Sequence, residues 1–419
     1  MKKHTQSPCE RSEISYKPSS IKWLGEIPQS WKNVSIRSCF TESNQRCNTD
    51  SYPLLSVTIA NGIIYQDDIE NKKDISNDDK SNYKIVPLNA VAYNKMRMWQ
   101  GAVGVNTLTT GIVSPAYIVA IPNEKILPNF VSYLFKSKIM IGEFDKNSYG
   151  LCLDMNNLRY DDFRNIKIPL PPLQEQKEIA EFLDKKCEKI QNYINKKQKL
   201  ITLLQEKKQA LINEVVTKGL NPNIEFKNSG IAYLGLIPHH WKVRRMKFMA
   251  SIHNGREQTE IADENGIYPI YGSGGILGKS MYFIYDKPSV LLGRKGTIDK
   301  PLFVEEPFWT IDTMFYTSVS KIVLPKYFYY LCLTIDFQFY ISGSAIPSMT
   351  QYDLANISFA LPPLQEQKQI ANFLDEKCEK INSAIEKTKK QIELVKEYKN
   401  TFINEAVCGR INLQKKERI

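Results

Sequence analysis

The residues in this sequence best suited to chemistry form one run of cations, amides and an aromatic set against glycines. It reads Tyr93-Asn94-Lys95-Met96-Arg97-Met98-Trp99-Gln100-Gly101-Ala102-Val103-Gly104. The chemistry is recognition rather than bond-making. Arg97 and the amides of Asn94 and Gln100 can make bidentate contacts to base edges, and Lys95 offers a point charge to phosphate. The corresponding stretch of the second half is Leu291-Leu292-Gly293-Arg294-Lys295-Gly296-Thr297-Ile298, which supplies Arg294 and Lys295. Either stretch could instead be a polar hairpin that holds its own domain together. Ser148-Tyr149-Gly150 and Ser342-Gly343-Ser344, short polar segments ahead of each long helix, are further candidates to reach the same partner.

Catalytic patterns are missing. Gly272-Ser273-Gly274-Gly275-Ile276-Leu277-Gly278-Lys279-Ser280 fails as a phosphate loop because Ser273 stands where the first glycine belongs. The run after it, Met281–Tyr285, reads as a strand where a helix would be needed. Glu70-Asn71-Lys72 gives an acid–x–lysine triplet with no companion acidic cluster. The histidines at 4, 239, 240 and 253 have no metal-ligand spacing. The cysteines at 9, 39, 47, 152, 187, 332, 378 and 408 include no CxxC pair and read as reduced thiols in a cytosolic protein. An adenine methyltransferase would need an Asn/Asp-Pro-Pro-aromatic loop to hold a flipped base. Both Pro-Pro pairs here are flanked by leucines, and no glycine-rich cofactor loop follows a strong strand. The chain reads as a binder and an organiser.

The recognition loops must be positioned by something, and an internal repeat supplies it. Leu170-Pro171-Pro172-Leu173-Gln174-Glu175-Gln176-Lys177 returns unchanged as Leu361-Pro362-Pro363-Leu364-Gln365-Glu366-Gln367-Lys368, an offset of 361 − 170 = 191. The offset persists through Phe182-Leu183-Asp184 and Phe373-Leu374-Asp375 to Ile212-Asn213-Glu214 and Ile403-Asn404-Glu405. Each copy predicts one long helix. Proline is tolerated only at its start, and Glu175 and Glu366 suit the positive end of the helix dipole. Steps of three and four residues trace an apolar seam through Leu173, Leu183, Ile190, Ile201, Leu204 and Leu211. The same steps trace Leu364, Leu374, Ile381, Ile392, Val395 and Phe402 in the second copy. A 3.5-residue seam held over about six heptads is a coiled-coil pattern. Neither helix could bury its stripe alone, so each is the natural partner of the other, and Gln176/Gln367 and Lys208/Lys399, which interrupt both seams at matching places, argue against two unrelated helices.

A second repeat opens each half: Ile21-Lys22-Trp23-Leu24-Gly25-Glu26-Ile27-Pro28-Gln29-Ser30-Trp31 matches Ile231-Ala232-Tyr233-Leu234-Gly235-Leu236-Ile237-Pro238-His239-His240-Trp241. Trp31 and Trp241 read as packing anchors. The halves share their ends and differ in the middle, as two copies of one scaffold would with different recognition surfaces. The middles predict compact α+β domains. Strands are expected at Leu54–Ile59, Ala90–Tyr93, Tyr117–Ile121, Met281–Tyr285, Val290–Leu292 and Thr313–Val319. Turns are expected at Asn61-Gly62 and Asn265-Gly266, with short helices over Pro128–Lys138 and Pro325–Leu333. The 419 residues are 42% hydrophobic, ample for several cored domains. No run approaches a membrane span, and Met1–Ser20 lacks an apolar signal core. The net charge of +11 suits a polyanion such as DNA.

The duplicated plan closely resembles the specificity subunit of type I restriction-modification systems, from about Ser20 to Arg410. The motifs that carry the likeness are Pro171–Ile190 with Pro362–Ile381, Ile21–Trp31 with Ile231–Trp241, and Asn94–Gly104 with Gly111-Ile112-Val113-Ser114-Pro115-Ala116-Tyr117. The resemblance implies an α+β protein with an internal pseudo-two-fold repeat: two globular target recognition domains joined by two long antiparallel coiled-coil helices. On that plan 1–20 is an N-terminal extension, 21–169 the first recognition domain and 170–217 the central helix. Then come a linker at 218–230, the second domain at 231–360, the distal helix at 361–410 and a tail at 411–419. The family implies a subunit without catalysis of its own that reads one half of a bipartite double-stranded DNA site with each domain. It implies two adenine-N6 methyltransferase subunits and two restriction subunits as partners in the cytoplasm. S-adenosylmethionine, ATP and Mg2+ would be used by those partners and none bound by this chain. A self-sufficient methyltransferase or nuclease would need the missing motifs. A coiled-coil scaffold without DNA recognition would not need two dissimilar basic insertions.

Overall fold

The computed structural model describes residues 15–47, 52–69, 79–150, 156–340 and 346–411. Glu70–Lys72, Ser342–Ser344, the tail beyond Ile411 and most of the N-terminal extension lie outside them, as do His4, Cys9 and Cys152. The chain forms two compact units: 1–196 with 391–419, and 197–390. Each unit therefore combines one globular domain with part of each long helix.

The central helix spans Leu173–Lys218 and the distal helix Leu364–Val407, 46 and 44 residues. Both start later than the repeated motif does. Leu170 ends a strand, Lys167–Leu170, that pairs with Lys32–Ser35, and Leu361 ends the strand Ser358–Leu361 paired with Lys242–Arg245. The two prolines that follow each strand stop the ladder and open the helix.

The helices pair antiparallel. In the first unit Phe182, early in the central helix, packs against Phe402, late in the distal one, with ring centroids 5.4 Å apart. In the second unit Lys208 donates to the Asn382 side chain at 2.9 Å, joining a late central residue to an early distal one. Burial follows the expected period: Leu183, Ile194, Leu374, Ile385 and Ile392 are buried. Ile190, Ile201, Leu204, Leu211, Ile381, Val395 and Phe402 are half-buried. Leu173 and Leu364 depart from the expectation. Each is 46% exposed, because the first turn projects beyond the packed face. The buried seam begins at Gln176 and Gln367 instead.

Each globular domain is built on a four-stranded antiparallel sheet. In the first the order is Phe40–Ser43, Tyr117–Pro122, Val91–Asn94, Val103–Val105. In the second it is Ala250–Asn254, Met314–Val319, Ser289–Gly293, Leu302–Val304, the same order of corresponding strands. A hairpin accompanies each sheet: Leu55–Thr58 with Gly62–Tyr65 in the first domain, and Tyr268–Gly272 with Gly275–Ser280 in the second. Short helices, Pro128–Lys136 and Pro325–Cys332, lie over the cores with Phe130, Phe135, Tyr327 and Phe328 fully buried.

One expected strand is misplaced. Met281–Ile284 is loop, Tyr285 makes one isolated bridge to Phe308, and the strand is the glycine-rich Gly275–Ser280 just before them. The aromatic content of Met281, Tyr282 and Phe283 suggested a ladder, but these side chains are exposed and the pairing ends at Ser280. Strand propensity decides little where no neighbouring strand is available.

Candidate nucleic-acid interface

The first loop is fixed from beneath and open above. The strand Val91–Asn94 leaves the sheet at Asn94, whose side-chain oxygen accepts the Met96 N–H at 3.0 Å. Met98 is fully buried and anchors the loop to the core. Gly101, at φ 91°, turns the chain back so that Val103–Val105 can rejoin the sheet. Arg97 O accepts from both Gln100 N and Ala102 N, which closes the turn. The outer side presents Met96 and Arg97, both exposed. Lys95 and Gln100 are half-buried. Trp99 is half-buried too and donates its indole N–H to Met96 O at 3.0 Å. Asn94 and Trp99 therefore shape the loop. Among the described residues the Arg97 side chain has no hydrogen bond or ion pair.

The second loop sits at the equivalent place. Leu158 N donates to Lys95 O in the first domain, and Met349 N donates to Arg294 O in the second. Leu158 and Met349 are themselves 349 − 158 = 191 apart, the offset of the helix repeat. Gly293 cannot carry a side chain, since a Cβ there would lie 2.4 Å from Thr297 O. Gly296, at φ 82°, completes the turn. The Arg294 guanidinium lies 5.9 Å over the Phe315 ring and donates to Asp312 O at 3.3 Å, so it is partly committed to its own domain. Lys295 is exposed. Tyr149, the centre of the further candidate Ser148–Gly150, is 66% exposed beside the first loop's support, bridging to Asn157.

Both domains are held to the helices by the same side chains of the repeated motif. Glu175 accepts the Trp31 indole N–H at 2.7 Å and the Ser30 hydroxyl at 3.0 Å. Glu366 accepts the Trp241 indole N–H at 3.0 Å and meets His240 at 2.5 Å. Gln176 accepts from Leu127 N at 2.7 Å and donates to Lys125 O and Pro171 O. Gln367 repeats this with Leu324 N, Ile322 O and Pro362 O. Tyr133 donates to Asp184 and Tyr330 to Asp375, each at 2.6 Å. Burial and then the adjacent carboxylate push both phenol pKa values up, so both remain donors across the working pH range.

The sequence located both loops but not their mounts. Gln176 and Gln367 read as interruptions of a seam, whereas they are buried tethers. The recurrence of Tyr133 with Asp184 as Tyr330 with Asp375 was a usable signal for the tyrosine contacts. Lys136, half-buried under the first loop, had none, because counting on from Tyr330 places Leu333 at its position in the second domain.

Six cysteines lie among the described residues, none of them in a disulfide, with Cys39, Cys47, Cys332, Cys378 and Cys408 buried. No group of His, Cys, Asp and Glu among the described residues could hold a metal ion. None of the described helices is long and apolar enough to cross a membrane.

Two similar sheet domains, each with a loop mounted over its core and a tether to a long helix, define a paired recognition scaffold. The family model for the type I restriction modification DNA specificity domain matches residues 28–205 and 238–394, and the chain belongs to that family. It is 28% identical over 339 residues to the type I restriction enzyme MjaVIII specificity subunit of Methanocaldococcus jannaschii, covering 73% of this chain and 75% of that one. It is 24% identical to the putative type I restriction enzyme MjaX specificity subunit of the same organism, over 93% of this chain and 96% of that one. A solved chain from work on complex assembly and conformational transition of the type I R-M system shares the fold. Its TM-score is 0.70 at 15% identity, covering 92% of this chain and 99% of that chain.

Proposed function

We propose that the chain is the non-catalytic DNA-specificity subunit of a type I restriction-modification complex, reading one half of a bipartite double-stranded target with each domain. The observation that carries this is the equivalence of the two loops. Lys95 O and Arg294 O take the same supporting hydrogen bond in two domains of the same strand order, while the side chains offered differ. Equal mounts with unequal side chains suit two different half-sites. Exposed Arg97 and Lys295 are the first candidates for DNA contact, with Lys95, Gln100 and Arg294 beside them and Asn94 and Trp99 setting loop shape.

The helices have apolar side chains outside the seam. Leu200 and Leu203 in the second unit, and Tyr193 and Leu394 in the first, are 39–56% exposed. They fit a docking face for two methyltransferase subunits, with two restriction subunits joining the complex. S-adenosylmethionine, ATP and Mg2+ would act through those partners, and the complex would work in the cytoplasm, where genomic DNA is. The test is methyl transfer from labelled S-adenosylmethionine. The purified chain should transfer none, and its co-expressed methyltransferase partner should methylate a two-part sequence only when this chain is present. Transfer by the chain alone, or a one-part target, would overturn the reading.

Arg97→Ala should lower affinity for the first half-site by about 1–3 kcal/mol, the scale of one bidentate base contact, and leave the second half-site untouched. Binding measured on duplexes with each half-site scrambled in turn checks it. Unchanged affinity would make Arg97 structural.

A further inference from the structure

We propose that Lys136 is a positioning residue for DNA recognition by the first domain, a cationic pin that joins the recognition loop to the neighbouring hairpin. This rests on the proposed function and deepens it. Lys136 ends the short helix Pro128–Lys136, and its amine donates to Thr58 O at 3.1 Å, Ile59 O at 2.7 Å and Gly101 O at 2.9 Å. Thr58 and Ile59 lead into the turn of the hairpin, and Gly101 closes the loop that presents Arg97. Those three carbonyls use all three N–H donors of an ammonium. Close approach of loop and hairpin is built in as well. A Cβ on Gly104, in the strand the loop leads into, would lie 2.7 Å from Ile63 N of the hairpin.

No carboxylate among the described residues pairs with Lys136. The titratable groups on the surrounding elements are Lys95 and Arg97 on the loop, Tyr65 on the hairpin, Tyr133 on its own helix, and Lys138, Glu143, Asp145 and Lys146 on the next helix. Tyr133 is bonded to Asp184 and Glu143 is paired with Lys146. Burial therefore acts unopposed and pulls the Lys136 amine down to about 8. Once deprotonated, the amine has two N–H donors for three carbonyls. The pin loosens as pH rises through that value and is complete below it. In the second domain Leu333 occupies the equivalent position and cannot make these bonds. The dependence therefore belongs to one half-site only.

The test uses the full chain with its methyltransferase partner and a random-sequence duplex library, from which bound DNA is sequenced. Failure to enrich any two-part sequence would overturn the proposed function itself. With an enriched duplex in hand, Lys136→Met is expected to weaken binding about tenfold at pH 7, the scale of a hydrogen bond to a charged group. Scrambling the first half-site should abolish the difference between variant and parent, and scrambling the second should preserve it. Affinity of the parent for the first half-site should fall between pH 7 and 9, while Lys136→Met should be flat there and Lys136→Arg should keep its affinity at pH 9. Hydrogen exchange should quicken in Lys95–Gly101 and Thr58–Gly62 of Lys136→Met and stay unchanged in the second unit, which separates a local effect from misfolding. An enriched site bound equally by parent and Lys136→Met, or a parent profile as flat as the variant's, would overturn the inference.

Discussion

Gln176→Leu is expected to destabilise the first unit by about 3 kcal/mol, although leucine nearly matches glutamine in volume and favours a helix. The loss comes from what the amide leaves behind. Gln176 is fully buried, its oxygen holds Leu127 N, and its nitrogen holds Lys125 O and Pro171 O. A buried polar group left without a partner costs about 1–3 kcal/mol; Pro171 O would be stranded in full, and Leu127 N and Lys125 O, both part-buried, in part. Local relaxation that admits water would return part of this, hence the figure at the lower end. Gln367→Leu should act equally on the second unit through Leu324 N, Ile322 O and Pro362 O. Hydrogen exchange across 118–146 and 315–340, measured through a urea series, reads the two units separately. A change under about 0.5 kcal/mol in the matching unit would show that the tether is not structural.

Exchange of residues 243–359 for the middle of another family member should replace one half of the methylated sequence and leave the other half intact. The tethers explain why so large a graft should fold. Trp241, Gln367 and Glu366 lie outside the exchanged stretch, and Gln367 grips backbone atoms of Ile322 and Leu324 rather than their side chains. The new segment must supply a backbone of the same course and, for Asp375, a tyrosine where Tyr330 stands. Sequencing of methylated adenines in cells that carry the graft with the methyltransferase gives the answer. If both halves change together, the domains do not read independently.

The long helices were legible because a 3.5-residue period survives over dozens of residues and recurs at one offset. The antiparallel sense of the pairing, seen where Phe182 meets Phe402, came from the family resemblance and not from the seams themselves. The two polar loops were legible by composition, since few stretches set arginine, lysine and amides between glycines. Their mounts were not. Bonds from Leu158 N and Met349 N, or from Lys136 to three carbonyls, join backbone atoms that carry no mark in the residue alphabet. Strand assignment failed at Met281–Phe283 for a related reason. Residue preference is local, and pairing depends on which strand lies alongside. Leu173 and Leu364 show the same limit at a helix end, where the period continues but the packed face has not yet begun.

The eight residues Leu170–Lys177 and Leu361–Lys368 are identical, and they contain every helix side chain that accepts from Trp31, Trp241, Leu127 or Leu324. In the protein sequence that is a pair of matching tracts at the exit of each globular domain, and the fronts at Ile21–Trp31 and Ile231–Trp241 bracket the entrances. A crossover within such tracts keeps the seam in phase and keeps the helix side of every tether, so the incoming middle need supply only a backbone of the same course and the tyrosine that meets Asp184 or Asp375. A whole domain can therefore be exchanged in one event with its attachment to the helices kept.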